Sequence, residues 1–266
     1  MKEFVHGALV ECRPLPAHLV VPFETMGLVR GALPLWSRHL VRLEAAAREL
    51  GLVQGPLQVP GGLLHAVLDE ARARTHDVVR LELAPAGAGG AVVWRVHTRV
   101  RHLLTGPVVL VPTVARRAPG LPPPHLKALP RTAYDDVLSE ARAAGADDGI
   151  VVGDEGAVLE TALGNLWFHV AGAWVTPALD QRVLPGIARA VLLEALAARG
   201  IEVVERACDI ADLHRATAIA VSNAVHGPRR AVLARVRSRG EEASSPCEPG
   251  TGILTECWEQ AVLRRC

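Results

Sequence analysis

The stretch that decides the fold is residues 125–165, which read H-L-K-A-L-P-R-T-A-Y-D-D-V-L-S-E-A-R-A-A-G-A-D-D-G-I-V-V-G-D-E-G-A-V-L-E-T-A-L-G-N. Lys127 follows a proline run, and the pattern after it predicts a helix, a strand, a turn and a second strand. Glu160 closes that second strand, and Asn165 opens the next element. A lysine and a carboxylate at this spacing favour Schiff-base chemistry, in which the amine condenses with an aldehyde and the carboxylate holds a proton on a pyridine nitrogen.

Lysine is scarce in this sequence, and that scarcity bears on Lys127. Lys2 and Lys127 are the lysines among 29 Lys and Arg residues. A lysine kept where arginine is the habitual cation indicates a task that arginine cannot perform, because the guanidinium stays protonated and forms no imine. The plain alternatives are a surface lysine at 127 and an ordinary strand-end carboxylate at 160.

Composition excludes several classes of protein. The 266 residues are 50% hydrophobic and carry a formal net charge of +1. This balance argues against a nucleic-acid or acidic-membrane binder, and the scarcity of aromatic residues disfavours base stacking. Five cysteines without a Cys-x-x-Cys pair predict a reducing compartment and neither a disulfide framework nor a zinc site. No signal peptide or membrane span is evident, so we expect a soluble cytoplasmic protein.

The order of predicted elements indicates an α/β chain of mixed α+β type, with strands and helices in two lobes. Proline clusters over 112–124 predict a linker. We therefore expect an N-terminal α/β lobe over 1–111 and a C-terminal α/β lobe over 125–266 that carries Lys127. Helices are predicted at 38–50, 62–74, 133–144, 187–200 and 209–215.

The N-terminal lobe has two clusters of basic residues. Helix 38–50 has an apolar face and a Ser37 cap, and its Arg38, His39, Arg42 and Arg48 lie off that face. In the predicted strand 91–101, basic residues alternate with Trp, Val and Thr, so one face carries Arg95, His97, Arg99 and Arg101. Each cluster can be read as a solvated face, and the strand can also be read as a cationic wall for a substrate with carboxylates.

The sequence L-P-G-I-A-R over 184–189 predicts an anion seat. Gly186 precedes a helix, so the amides of Ile187 and Ala188 point outward at its positive end, where a phosphate binds readily. A glycine before a helix is a weak signal alone, and its position after Lys127 and Glu160 strengthens it.

Lys127, the run L-E-T-A-L-G-N-L-W-F and L-P-G-I-A-R together resemble the class IV aminotransferases, over residues 23 to about 232. The resemblance implies the two-lobed fold type IV of D-amino-acid aminotransferases, the cofactor pyridoxal 5'-phosphate (PLP), a small-molecule amino substrate and a homodimer. It implies that Lys127 is the catalytic lysine. It also implies a cofactor-binding set of Arg42, Glu160, Asn165, Ile187, Ala188 and Asn223, and substrate contacts by Arg99, Arg101 and Arg131.

The branch of the family is left open by the sequence. Lys127-x-x-x-Arg131 and the segment S-N-A-V-H-G-P-R-R-A-V resemble the aminodeoxychorismate lyases of folate biosynthesis, although Pro130 and Arg230 depart from their pattern. That branch releases pyruvate and 4-aminobenzoate, and we favour it. A branched-chain or D-amino-acid aminotransferase is the alternative. A catalytically silent binding protein is a third, because the Asp-Arg…Gly-Asp-Gly segment usual before F-E-T is missing.

Overall fold

The computed structural model describes residues 1–86, 91–102, 105–114, 120–234 and 251–263. Parts of the predicted linker and the polar tail from Ser238 lie outside these ranges. The strands are β1 Lys2–Val5, β2 Ala8–Glu11, β3 Val21–Gly27, β4 Val78–Pro85, β5 Val92–Arg99, β6 Val108–Val114, β7 Ala128–Leu129, β8 Asp148–Val152, β9 Ala157–Thr161, β10 Asn165–Val170, β11 Ala173–Pro177, β12 Val203–Arg206, β13 Cys208–Asp209, β14 Ala218–Asn223 and β15 Gly227–Leu233. The helices are α1 Trp36–Glu49, α2 Leu63–Ala73, α3 Thr132–Ala143, α4 Ile187–Ala197, α5 Ile210–Arg215 and α6 Thr251–Leu263.

The chain divides into two compact units. The first contains residues 1–103, 126–131 and 262–266, and the second contains residues 104–125 and 132–261. Lys127 therefore belongs to the first unit, whereas the sequence analysis placed it at the start of the C-terminal lobe. The domain bounds drawn from the proline clusters remain a prediction.

The first unit is built on a six-stranded sheet with the order β2-β1-β5-β4-β3-β7. Strands β3, β4 and β5 form an antiparallel meander, in which Phe23 pairs with Glu82 and Glu82 pairs with Arg95. Alternate residues of these strands, Met26, Leu81 and Val96 among them, form a core with the apolar faces of α1 and α2. The opposite face of the meander carries Phe23, Arg80 and the basic residues of β5.

The second unit is built on a nine-stranded mixed sheet with the order β12-β11-β10-β14-β15-β6-β8-β9-β13. One apolar cluster around Leu110, Ile150, Leu166 and Phe168 fills one side of this sheet. A second cluster joins the sheet to α4 and α6 through Trp167, Leu192 and Leu254. A third joins α3 to β8 and β9.

The sequence located most helices correctly because their apolar spacing and flanking glycines agree with the structure. Arg30 and Gly31 form a tight turn, since both residues have positive φ and Val29 pairs with Ala32 around them. The predicted Ser37 cap is wrong: α1 begins at Trp36, and no side chain caps its first turn. Within the described ranges, none of the helices is long and apolar enough to cross a bilayer.

Strand β6 was missed because Pro112 was read as the start of the linker. Val108–Leu110 pair in parallel with β15, and Leu110–Val114 pair in parallel with β8. Pro112 lies beyond the last residue that pairs with β15, so its missing N–H does not interrupt that ladder. Strands β1, β2 and β7 are too short for a periodicity signal. Helix α6, Thr251–Leu263, is absent from the helices predicted above.

Candidate active site

Lys127 is held by strand pairing to the start of β3. Its carbonyl accepts a hydrogen bond of 2.9 Å from the amide of Phe23, and β7, which follows it directly, pairs with Val21 and Pro22. The Nζ atom lies 4.8 Å from the centroid of the Phe23 ring. The lysine is thus fixed on both its backbone and its side chain, on the face of the meander away from the core.

The electrostatic surroundings of Lys127 favour a neutral amine. Burial lowers its pKa well below the usual value, and the guanidinium groups of Arg131, Arg42 and Arg80 lower it further. Glu24 opposes them without cancelling their effect. Arg131 and Arg80 lie over the same ring as Lys127, with Cζ at 6.0 Å and 4.0 Å from the Phe23 centroid. A neutral amine can act as a nucleophile and as a base.

Arg42 forms an ion pair with the buried carboxylate of Glu24. Its Nε donates to Oε1 of Glu24 at 2.7 Å and its Nη2 to Oε2 at 2.6 Å, and Nδ1 of His39 lies 2.6 Å from the same Oε2. Burial alone would raise the pKa of Glu24, but Arg42 and His39 hold it at about 2. The bidentate pair fixes the orientation of the guanidinium. Its predicted contact with a phosphate remains a prediction.

The predicted cationic wall on β5 is not a uniform surface. Arg95 is fully buried, and its guanidinium donates to the carbonyl of Arg13 and to Sγ of Cys12. Arg101 lies beyond the end of β5, where it donates to the carbonyl of Leu28 and pairs with Asp77.

Arg99 and Arg101 do not lie beside Lys127. Arg99 is level with Val78 and Gly27, whereas Lys127 bonds to Phe23, four residues away along β3. At roughly 3.3 Å per residue this separation is about 13 Å. Among the predicted substrate residues, the structure brings only Arg131 next to the lysine.

In the second unit, Glu160 is almost completely buried and is held through both of its oxygens. Tyr134 donates to Oε1 at 2.7 Å. The amide of Leu184 and Nδ2 of Asn165 approach Oε2 at 3.2 Å and 3.4 Å. The structure therefore brings together two of the predicted cofactor residues, Glu160 and Asn165.

The predicted anion seat at α4 is connected to the same group. Asn165 also donates to the carbonyl of Leu184 at 2.9 Å, which fixes the segment that leads into the helix. Gly186 is the N-cap, with no side-chain cap, so α4 begins with the amides of Ile187 and Ala188 unopposed by a capping side chain. A Cβ atom on Gly186 would lie 1.8 Å from Oδ1 of Asn165, so glycine is required by close packing.

The side chain of Asn223 forms hydrogen bonds with nearby backbone groups. Its Oδ1 accepts from the amides of Val225 and His226, and its Nδ2 donates to the carbonyl of Leu163. These bonds shape the turn between β14 and β15. A phosphate contact by Asn223 remains a prediction.

Sequence reasoning missed three residues. Phe23 and Glu24 carry no local signal, because the packing of three basic side chains on Phe23 and the ion cluster around Glu24 depend on tertiary contacts. Tyr134 was not considered, although it is the single tyrosine of the sequence, and that rarity was an available signal.

The family model described as "Amino-transferase class IV" matches residues 22–233, which include Lys127, Glu160 and the start of α4. The chain belongs to the class IV aminotransferase family. This match confirms the resemblance drawn from the sequence motifs, and the fold confirms the predicted mixed α/β architecture.

Relatives of this class IV enzyme include proteins named for two different reactions. A Schizosaccharomyces pombe protein, provisionally named aminodeoxychorismate lyase, is 31% identical to this chain. The match covers 65% of this chain and 72% of the S. pombe chain. A Thermotoga maritima protein, provisionally named branched-chain-amino-acid aminotransferase, is 29% identical over 85% of this chain and 80% of its own. The PLP-bound form of a hypothetical aminotransferase from Mycobacterium tuberculosis shares the fold, with a TM-score of 0.77 at 21% identity over 97% of each chain.

The class IV family is PLP-dependent, and the donor groups of this chain have the chemistry that PLP requires. Lys127 offers an amine with a lowered pKa for the aldehyde carbon. Glu160 offers a buried carboxylate in a fixed orientation for the pyridine nitrogen. The uncapped N-terminus of α4 offers amide donors for the phosphate. Each of these groups, taken by itself, therefore has the chemistry that one part of the cofactor requires.

Proposed function

We propose that this class IV enzyme is a lyase that converts 4-amino-4-deoxychorismate into 4-aminobenzoate and pyruvate, a step of folate biosynthesis. The observation that carries the proposal is Arg131 beside Lys127, with both side chains over the ring of Phe23. The substrate has two carboxylates, which suit the positive charge gathered there by Arg131 and Arg80. The Lys127-x-x-x-Arg131 spacing and the name of the S. pombe relative support the same reaction.

The residues of the chain have separate tasks in this proposal. Bound PLP supplies an electron sink conjugated to the amino carbon of the substrate. Lys127, as a neutral amine, takes the proton from that carbon, and the bond between the ring and the enolpyruvyl oxygen breaks. A proton returned to the methylene carbon of this leaving group gives pyruvate. Glu160 holds the proton on the pyridine nitrogen. The amides of Ile187 and Ala188, with Arg42 and Asn223, bind the phosphate.

Cofactor binding by Lys127 is tested by absorbance. We expect purified protein given PLP to be yellow, and borohydride reduction to attach the cofactor to the peptide that contains Lys127. Lys127→Ala should lose the band, while Lys2→Ala keeps it. A wild type that stays colourless in excess PLP would contradict the proposal and favour a silent binding protein.

The alternative reaction is transamination of a branched-chain or D-amino acid. The T. maritima relative favours it, since that match covers more of this chain than the match to the S. pombe protein. A paired assay separates the two reactions. Pyruvate and 4-aminobenzoate formed from aminodeoxychorismate support the lyase, and a keto acid formed from an amino acid and a second keto acid supports the aminotransferase.

We also propose that the enzyme is a cytoplasmic homodimer. Within the described part of the chain, Cys12, Cys208 and Cys257 are free thiols, which suits a reducing compartment. The family resemblance supports the dimer. Light scattering should give twice the chain mass of 28.3 kDa, and a mass of one chain at micromolar concentration would contradict it.

A further inference from the structure

We propose that Tyr134 is the positioning residue that fixes the carboxylate of Glu160 toward the cofactor. This inference rests on the proposed function only in that Glu160 serves the pyridine nitrogen. Tyr134 itself is assigned a role by its own contacts, none of which follows from the family motifs.

The bond from Tyr134 is the strongest restraint among those described for Glu160. Its length of 2.7 Å lies within the range for a hydroxyl that donates to a carboxylate. The contacts at the other oxygen, from Leu184 and Asn165, are 3.2 Å and 3.4 Å long. Because a hydrogen bond weakens with length, the phenol does more than either amide to set the rotation of the carboxylate.

The phenol is itself held rigidly. Its ring packs against the cluster that contains Val137, Leu159, Ala162 and Val183, so residues before and after Glu160 in the chain belong to the group that the ring contacts. Helix α3 lies tightly on β8, since a Cβ on Gly149 would fall 2.5 Å from Cγ1 of Val137. The packing of the ring and of α3 therefore restricts the position of the hydroxyl.

Rigidity of this kind matters because Glu160 is only 3% exposed. A buried carboxylate that is held in one orientation meets the ring nitrogen without reorganisation, whereas one that can rotate must be ordered when the cofactor binds. Loss of the hydroxyl should therefore weaken cofactor binding through its effect on Glu160.

A double-mutant cycle tests this dependence. PLP affinities of the apo forms of wild type, Tyr134→Phe, Glu160→Gln and the double variant are measured by absorbance titration. We expect Tyr134→Phe to weaken PLP binding about tenfold in the wild type, since bonds to charged groups are among the stronger hydrogen bonds, and less than about twofold beside Glu160→Gln. An equal loss in the two backgrounds, or no loss in the wild type, would overturn the proposal.

A matched control separates this effect from the general loss of a buried hydroxyl. Thr176 is fully buried in the same unit and donates to the carbonyl of Leu166 at 2.7 Å. Thr176→Val should lower thermal stability and leave PLP affinity within about twofold of the wild type. A tenfold loss of PLP affinity in this control would show that any buried hydroxyl has the same effect, and would remove the support for Tyr134.

The single tyrosine gives a second readout that needs no cofactor. Protein labelled with 3-fluorotyrosine should show one fluorine resonance, which belongs to residue 134. We expect Glu160→Gln to move this resonance in the apo protein, and an unchanged resonance would overturn the bond itself. If wild type binds no PLP, the proposed function fails while the fluorine comparison still tests the contact, so the two failures are distinguishable.

Discussion

At the scale of single residues, the protonation of Lys127 is controlled by its neighbours. An isolated lysine is charged at neutral pH and is a poor nucleophile. Here burial and three guanidinium groups lower the pKa of Lys127, whose side chain lies over the Phe23 ring together with those of Arg80 and Arg131. The positive charge that would suit the proposed substrate also favours loss of the proton from the amine.

Arg131 should therefore control the pH at which Lys127 reacts. After burial, Arg131 has the largest effect in lowering the pKa of Lys127. In Arg131→Gln we expect that pKa to rise, so the rate at which apoenzyme captures PLP should reach half its maximum at a higher pH than in wild type. Stopped-flow absorbance over a pH series measures this.

The control for this prediction is Arg142→Gln, which removes an exposed arginine from α3. Its pH profile should match that of wild type. If Arg131→Gln and Arg142→Gln give the same profile, the coupling between Arg131 and Lys127 is absent.

At the scale of elements, the approach to α4 is set by close packing of backbone against an amide side chain. Asn165 at the start of β10 bonds to Leu184 and to Glu160, and Gly186 leaves the space that Oδ1 of Asn165 occupies. One asparagine thus joins the carboxylate site to the segment that forms the predicted phosphate seat.

Gly186→Ala should displace the side chain of Asn165 and disturb its hydrogen bonds to Leu184 and Glu160. Residue 186 has φ −67°, so alanine meets no backbone strain, and the whole effect comes from the contact with Asn165. We expect a loss of stability of about 1–3 kcal/mol from overpacking, and a clear loss of PLP affinity. Urea denaturation and absorbance titration measure the two effects.

Gly55→Ala is the matched control, because a Cβ there meets no atom within 4 Å. It should change the free energy of unfolding by less than about 1 kcal/mol and leave PLP affinity unaltered. A Gly186→Ala enzyme that behaves like this control would show that the packing against Asn165 is not needed.

At the scale of the whole molecule, two buried carboxylates give opposite dependences of stability on pH. Glu24 has a pKa lowered from 4.5 to about 2, so its contribution is present above pH 4.5 and is lost as pH falls toward 2. Burial raises the pKa of Asp148 from 3.8 to about 6, although amides at the β9–β10 turn oppose the shift. Its contribution is therefore complete below pH 3.8 and is lost as pH rises through 6.

Asp148→Asn should remove the second dependence. Each of the two shifts corresponds to roughly 3 kcal/mol of unfolding free energy. We expect wild type to lose stability between about pH 4 and pH 7 by an amount of this order, and the variant to lose much less. Urea denaturation across this range measures the difference.

Asp136→Asn, an exposed change on α3, should follow the wild-type curve. If Asp148→Asn also follows the wild-type curve, Asp148 does not bind its proton more tightly in the folded state than in the unfolded chain.

Much of this protein could be predicted from its sequence. Apolar spacing and glycine stops placed the helices, and the rarity of lysine together with the spacing of Lys127, Glu160 and Gly186 indicated the cofactor chemistry. These signals are local, because helix periodicity and the chemical uniqueness of an amine are carried by the residues themselves.

Tertiary structure decided what surrounds those residues. Lys127 became part of the first unit, and Arg42 formed an ion pair with Glu24. Arg95 is buried against the N-terminal segment, and Tyr134 donates a hydrogen bond to Glu160. Tertiary structure also kept Pro112 inside a strand, because the neighbouring strand ends before it. The partners of these residues cannot be read from the sequence, since a pKa, an ion pair or a strand neighbour depends on groups that are distant along the chain and meet only when it folds.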